Sequence, residues 1–270
     1  MVRIYTLTLA PSLDSATITP QIYPEGKLRC TAPVFEPGGG GINVARAIAH
    51  LGGSATAIFP EGGATGEHLV SLLADENVPV ATVEAKDWTR QNLHVHVEAS
   101  GEQYRFVMPG AALNEDEFRQ LEEQVLEIES EALSAALAIG NIELVKPNQK
   151  ELSALVNREL TQPDDVRKAA QEIVNSGKAK RVVVSLGPQG ALGVDSENCI
   201  QVVPPPVKSQ STVGAGDSMV GAMTLKLAEN ASLEEMVRFG VAAGSAATLN
   251  QGTRLCSHDD TQKIYAYLSR

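Results

Sequence analysis

The chain has 270 residues, 43% of them hydrophobic and 20% charged, which is enough apolar content for a sizeable core and excludes a mainly disordered state. With 22 Lys plus Arg against 33 Asp plus Glu, its formal charge of −11 offers no field for nucleic acid or anionic lipid, so a general nucleic-acid binder is excluded. Cys30, Cys199 and Cys256 lie far apart with no C-x-x-C pair, so neither a disulfide framework nor a zinc site is expected; no apolar run approaches the roughly 18 residues of a membrane span, and a cytoplasmic chain is expected.

Apolar runs at Ile4–Leu9, Thr56–Pro60, Val78–Val83, Ile142–Val145, Arg181–Leu186 and Ala191–Val194 predict strands. Helical spacing over Asn43–Leu51, Thr65–Ala74 and Asp164–Ser176, the last opened by Pro163 and closed by Gly177, predicts helices between them. This βα alternation implies a mostly parallel sheet flanked by helices, with ligands at the carboxyl ends of its strands.

Thr17–Phe35 and Asn92–Val107 break the rhythm. The second alternates strictly from Leu93 to Val97 and turns at Ser100-Gly101-Glu102, which predicts antiparallel strands of a small sheet inserted at about 15–35 and 90–108, serving as a lid, a dimer contact or both. His94 and His96 on this sheet are expected to face a partner or solvent. Asn114 caps an acidic first turn, and helix formers continue to Ile139, so one long helix is predicted there; Pro204–Pro206 marks a stiff loop.

The strongest chemical signal is Thr212-Val213-Gly214-Ala215-Gly216-Asp217, followed by residues at helical spacing. Two glycines let the backbone turn tightly into a helix, converging free N–H groups and the positive end of the dipole on one volume, an anion hole with Asp217 at its rim as a general base. Taken alone, a glycine turn with an ordinary N-terminal acid explains the same letters. Gly38–Asn43 is a second backbone-exposed turn entering a helix. Lys146-Pro147-Asn148-Gln149-Lys150-Glu151 sets Asn148 and Glu151 three apart, either as oxygen ligands near Mg²⁺ and phosphates or as solvated residues of a helix start. Ser185–Gly190 ends a Val-rich strand and turns back, as a nucleotide-lining hairpin or a simple turn would. Asp14, Arg90 and Arg105 lie at the joints with the inserted strands, where a carboxylate and two guanidinium forks suit a sugar and its phosphate.

Together, and in this order, Gly38–Asn43, Lys146–Glu151, Ser185–Gly190 and Thr212–Asp217 resemble the PfkB sugar-kinase family. The resemblance implies a ribokinase-like fold, a three-layer α/β/α sandwich over residues 1–270 with a small β-sheet lid that forms a homodimer, and transfer of the ATP γ-phosphate to O1 of fructose 6-phosphate. By the same resemblance Asp217 is the base, and Gly214, Ala215 and Gly216 supply the anion hole. Asp14, Gly39, Asn43, Arg90 and Arg105 hold the sugar phosphate; Lys146, Asn148, Ser185, Gly187 and Gly190 contact ATP; Glu151 orders Mg²⁺. Oxygens near Ser211, Val213, Ala247, Asn250, Gly252 and Arg254 match a K⁺ loop, and Tyr23 and Lys27 a second, inhibitory ATP site.

Two departures stand out. Between the helix begun at Asn114 and the Lys146 motif the family carries a strand, a substrate-contacting turn, a helix and another strand, whereas here Ser130 runs straight into Glu131-Ala132-Leu133, so a βαβ unit is missing at the 130/131 junction. Its loss is expected to open the central sheet and to reduce or abolish activity. Glu61 stands in a Gly-flanked turn where a small residue is expected. The alternatives are 1-phosphofructokinase, tagatose-6-phosphate kinase or a nucleoside kinase, the last disfavoured by two arginine forks, and a non-catalytic dimeric binder of ATP or sugar phosphate. A Rossmann dehydrogenase is disfavoured because no G-x-G-x-x-G follows the first strand.

Overall fold

The structure, a computed structural model, describes residues 3–110, 112–128, 142–207, 209–250 and 254–270, and the chain divides into two compact units. One comprises Met1–Val125 and Asn250–Arg254, the other Leu126–Leu249 and Leu255–Arg270.

In the first unit, β1 (Tyr5–Leu7), β4 (Thr56–Glu61) and β5 (Val80–Glu84) form a parallel sheet in the order β1-β4-β5. Ala57, Ile58, Phe59 and Pro60 are buried in succession, the continuous apolar run of a strand covered on both faces. The helix α1 (Gly40–His50) turns Ile42, Ala45 and Ile48 inward and packs on β1 and β4. Arg46, also buried, forks onto Glu76 at the end of α2 (Gly63–Asp75) with hydrogen bonds of 2.8 and 2.6 Å and donates to the Pro37 carbonyl at 2.9 Å. Burial works against the Glu76 charge, but hydrogen bonds from His50 and Arg46 outweigh it and hold the carboxyl at about 2.

The inserted sheet runs β3-β2-β6-β7, with β2 at Ser12–Thr19, β3 at Val34–Gly38, β6 at Arg90–Val97 and β7 at Gln103–Phe106. Its outer pairs are antiparallel as expected, but β2 and β6 run parallel from Ser12↔Arg90 to Thr19↔Val97. The chain passes through β3, α1, β4, α2 and β5 between them, and a crossover that long frees the two strands from hairpin geometry. Glu61 also departs from expectation: it is the last residue of β4, paired with Glu84, rather than a turn residue, and its Cγ lies 2.8 Å from where a Cβ on Gly66 would stand. Asn114 does cap α3 (Glu115–Ile128), accepting from the Glu117 amide at 2.9 Å while Glu117 accepts from the Asn114 amide at 2.8 Å. The continuation of this helix to Ile139, and the 130/131 junction, lie outside the described residues.

The second unit has the strand order β11-β10-β9-β8, built from β8 (Ile142–Val145), β9 (Ala179–Ser185), β10 (Ala191–Val194) and β11 (Cys199–Val202). β8 and β9 are parallel; β10 and β11 return antiparallel because the turns before them are too short for a crossover. The Val182-Val183-Val184 run is buried on both faces. Val182 and Val184 pack with α4 (Gln149–Leu155) and α5 (Pro163–Asn175), whereas Val183 packs with α6 (Ala215–Ala228) and α7 (Leu233–Thr248), so this unit has helix, sheet and helix layers. The last helix, α8 (His258–Leu268), packs on α7, with Tyr265 edge-on to Phe239.

Among the described residues β1 pairs with β4 alone and β8 with β9 alone, so each is an edge strand of its sheet, as β5 and β11 are at the opposite ends. Leu7 is 48% exposed, Leu9 50% and Ile142 52%. No helix among these residues is long and apolar enough to cross a membrane.

Candidate active site

In the second unit, Gly214 takes φ +75°, a left-handed conformation that admits glycine readily, and from it the backbone swings directly into α6. The orphan N–H groups of this first turn have no intrahelical partners, and Asp217 stands in the same turn. Ser218, fully buried behind it, accepts a hydrogen bond at 3.1 Å from the amide of Cys256. The Lys146 ammonium reaches Gly216: a Cβ built there would lie 3.8 Å from Nζ. Lys146 also donates to Ser185 Oγ at 3.4 Å, and Asn148 and Ser185 form an isolated parallel bridge in which the Ser185 amide donates to the Pro147 carbonyl at 3.0 Å. Lys146, Asn148, Ser185 and Gly216 are thus gathered from three sequence segments, with Gly187 and Gly190 bounding a one-turn 3₁₀ segment next to Ser185.

Asn148 and Glu151 are also engaged locally. Asn148 accepts from the Glu151 amide at 2.9 Å and Glu151 accepts from the Asn148 amide at 2.8 Å, a complete capping box at the start of α4. Glu151 is exposed. Of the expected potassium loop, Ser211 and Ala247 are buried and Val213 donates to Ser211 Oγ at 3.2 Å, while the Gln210 amide donates to the Thr248 carbonyl at 2.8 Å. Asn250 and Arg254 are grouped with the first unit, and Gly252 lies outside the described residues.

In the first unit, Gly39 caps α1 with φ +116° and accepts from the Asn43 amide at 2.8 Å. Asp14 on β2 accepts from Ser12 Oγ at 2.7 Å and from Asn92 Nδ2 at 2.8 Å. Arg90 is held by two carbonyls, those of Met108 at 2.9 Å and Ala10 at 3.1 Å, so its fork is fixed at the foot of the inserted sheet. Arg105 on β7 is exposed and lies opposite His94. His94 is half-buried, with Nε2 3.9 Å from Asp14 Oδ2. Burial pushes the imidazole below its ordinary value; Arg105 adds to that, while Asp14 and Glu36 pull the other way. Ser12, Glu36, Asn92 and His94 neighbour Asp14 by hydrogen bond, close approach or sheet register, which the sequence reading did not anticipate, although the period of two along Arg90, Asn92 and His94 already places these three on one face. Tyr23 and Lys27 sit together in an exposed loop, with the Tyr23 hydroxyl donating to the Lys27 carbonyl at 3.1 Å.

A glycine-turned helix N-terminus carrying an acid, a lysine reaching it, and a separate carboxylate–arginine face suit an enzyme that moves a phosphoryl group onto a hydroxyl. Comparison with known proteins agrees. The profile of the pfkB family carbohydrate kinases matches residues 7–138 and 130–260. The ATP-dependent 6-phosphofructokinase isozyme 2 of Escherichia coli (strain K12) is 87% identical, the match covering all of both chains. Crystal structures of phosphofructokinase-2 from Escherichia coli in complex with fructose-6-phosphate and with potassium superpose with TM-scores of 0.92 and 0.94, at 84% and 87% identity, each covering both chains completely. The alignment to the Escherichia coli enzyme nevertheless runs over 309 positions against 270 residues here, a surplus of 39 that is as large as the whole shortfall from full identity. With its motifs, its ribokinase-like α/β fold and its relatives in agreement, the chain belongs to the pfkB family of carbohydrate kinases.

Proposed function

We infer that the protein is an ATP-dependent 6-phosphofructokinase, transferring the γ-phosphoryl group of ATP to O1 of fructose 6-phosphate to give fructose 1,6-bisphosphate and ADP. The observation that carries the reading is the turn at Gly214, which aims backbone N–H groups and the Lys146 ammonium at one place beside Asp217. Asp217 takes the O1 proton as that oxygen attacks phosphorus, and the N–H groups of Gly214, Ala215 and Gly216 stabilise charge on the transferring group. Asp14, with Gly39 and Asn43, holds sugar hydroxyls, and Arg90 and Arg105 hold the 6-phosphate. Lys146, Asn148, Ser185, Gly187 and Gly190 hold ATP.

Glu151, the carboxylate at the Lys146 motif, would order a magnesium ion held mainly by phosphate oxygens and water, and this ion would neutralise phosphate charge when bound. The oxygens of Ser211, Val213, Ala247, Asn250, Gly252 and Arg254 suit potassium, a hard cation that steadies the loop before Gly214. The inserted sheet pairs two copies: Val34, Tyr104 and Phe106 leave large apolar side chains exposed on it. Tyr23 and Lys27 take a second ATP. The compartment is the cytoplasm, where the exposed Cys30 and Cys199 stay reduced.

ADP release with MgATP and potassium, compared across fructose 6-phosphate, fructose 1-phosphate, tagatose 6-phosphate and no sugar, tests the assignment. Turnover dependent on fructose 6-phosphate upholds it; equal rates with every sugar, or a preference for another, overturn it. The 39 positions by which the alignment to the Escherichia coli relative exceeds this chain favour a second reading, a binder of ATP and sugar phosphate with little turnover, because a misplacement of ~1 Å can reduce phosphoryl transfer about a hundredfold.

A further inference from the structure

Arg46 lies on α1, one turn beyond Asn43, and is 3% exposed. Its ion pair with Glu76 does not by itself account for a guanidinium there, because well-packed apolar side chains often fill such a place with no loss of stability. The third donor distinguishes it. Nη1 donates at 2.9 Å to the Pro37 carbonyl while Nε and Nη2 hold the Glu76 carboxylate, so one fork ties the end of α2 to the end of β3.

Pro37 is a residue that gains from such a tie. It pairs with Leu13 of β2 but has no N–H to give to the ladder, and it stands immediately before the four glycines. Those glycines leave little slack. A Cβ on Gly38 would lie 2.6 Å from Asp14 Oδ2, and one on Gly39 would lie 2.6 Å from Thr8 Cγ2. At the exit of the turn, the Ile42 amide donates to the Thr8 hydroxyl at 2.9 Å and the Asn43 amide to the Gly39 carbonyl at 2.8 Å. Thr8 thus holds the exit and Arg46 the entrance. Because Gly38 lies against the Asp14 carboxylate, a shift of Pro37 would reach Asp14 as well as Gly39 and Asn43.

We propose that Arg46 is a positioning residue for the sugar: by holding the Pro37 carbonyl it sets the Gly38–Asn43 turn, and with it Asp14, where sugar hydroxyls are bound. This rests on the reading of Asp14, Gly39 and Asn43 given above. Lysine is no substitute, since one ammonium lacks the planar fork that meets a carboxylate and a carbonyl on different edges.

The test compares Arg46→Lys and Glu76→Gln with the parent chain, in ADP release with fructose 6-phosphate, MgATP and potassium, and in amide hydrogen exchange at Asn43. Arg46→Lys is expected to lower kcat/KM for fructose 6-phosphate by about tenfold to a hundredfold, chiefly through KM, and to speed exchange at Asn43 at least about tenfold. KM for MgATP should stay within about twofold, because the residues assigned to ATP lie in the other unit. Glu76→Gln disturbs the same ion pair but leaves Nη1 to Pro37, so it should change neither the sugar KM nor Asn43 exchange by more than about twofold. If Arg46→Lys does not fold, the double variant Arg46→Gln/Glu76→Gln replaces it: it leaves no unpaired buried charge, its shorter side chain does not reach Pro37, and the same readings decide. Equal rises in sugar KM for the Arg46 and Glu76 variants would make the contact a matter of stability alone and overturn the proposal, as would an unchanged sugar KM. If the parent chain shows no sugar-dependent turnover, the kinase reading fails and Asn43 exchange decides: faster in the Arg46 variant only upholds the hold on the turn, and equal exchange in both variants overturns it.

Discussion

The Gly214 turn of the second unit, proposed as the anion hole, and the Asp14 face of the first, proposed to hold the sugar, are assembled by different means. The former is nearly all backbone within one short segment: Gly214 in its left-handed turn, the first amides of α6, and Asp217, with a single long side chain arriving from the Lys146 motif. The latter is mostly side chain and comes largely from strands far apart in the chain, with Asp14 on β2, Glu36 on β3, Asn92 and His94 on β6 and Arg105 on β7 set beside one another by sheet register. A site written in consecutive residues survives local changes elsewhere, whereas a site written across a sheet depends on every pairing in it.

The largest effect should come from the backbone-built site. Asp217→Asn is expected to lower fructose 6-phosphate-dependent ADP release by about 10²–10⁴-fold while ATP binding stays within a few fold, since the substitution removes the base and leaves the amides in place. Loss of ATP binding to the same degree would mean that Asp217 holds the turn together. Lys146→Met should weaken ATP binding by about tenfold to a hundredfold, the worth of one charge-assisted contact, as measured by titration with MgATP.

Next comes the packing beneath the sugar face. Glu76→Gln leaves the buried Arg46 with a neutral partner, and urea unfolding should show a loss of about 2 kcal/mol, below the ~3–5 of a fully buried pair because a quarter of the Glu76 side chain is exposed. Because the Glu76 carboxyl is held at about 2 against an ordinary 4.5, its contribution is complete above about pH 4.5 and fades as pH falls towards 2. The variant should therefore lose less stability than the parent across that acid window.

The smallest effect concerns His94. Its imidazole titrates below the ordinary value, so the folded state resists protonation, and stability should fall as pH drops through about 6.5 and below. His94→Gln should flatten that slope in thermal unfolding between pH 7 and 5. An unchanged slope would place the titration elsewhere.

The same contrast explains what the sequence made legible. The Gly214–Asp217 turn, the Gly39 cap with φ +116°, the Asn148–Glu151 capping box and the Val182–Val184 strand are all local patterns, and each is found where the spacing puts it. The parallel pairing of β2 with β6 was not legible, because alternation sets which residues share a face but not the direction of a strand's neighbour. The approach of His94 to Asp14 was hidden for that reason: it depends on the register Ala16↔His94, which no local pattern encodes. Glu61 was misread because a charged residue beside glycines looks like a turn, yet it ends a strand that begins at Thr56.

The hydrogen bond from the Cys256 amide to the Ser218 hydroxyl ties the first turn of α6 to a position 38 residues further along the chain. During synthesis Asp217 therefore leaves the ribosome well before the strut behind it exists. Until Leu255 and Cys256 have emerged and α8 can settle on α7, the Gly214 turn stands without this contact behind it. A nascent chain that ends at the Gly214 turn lacks the backbone amide that fixes Ser218 behind that turn.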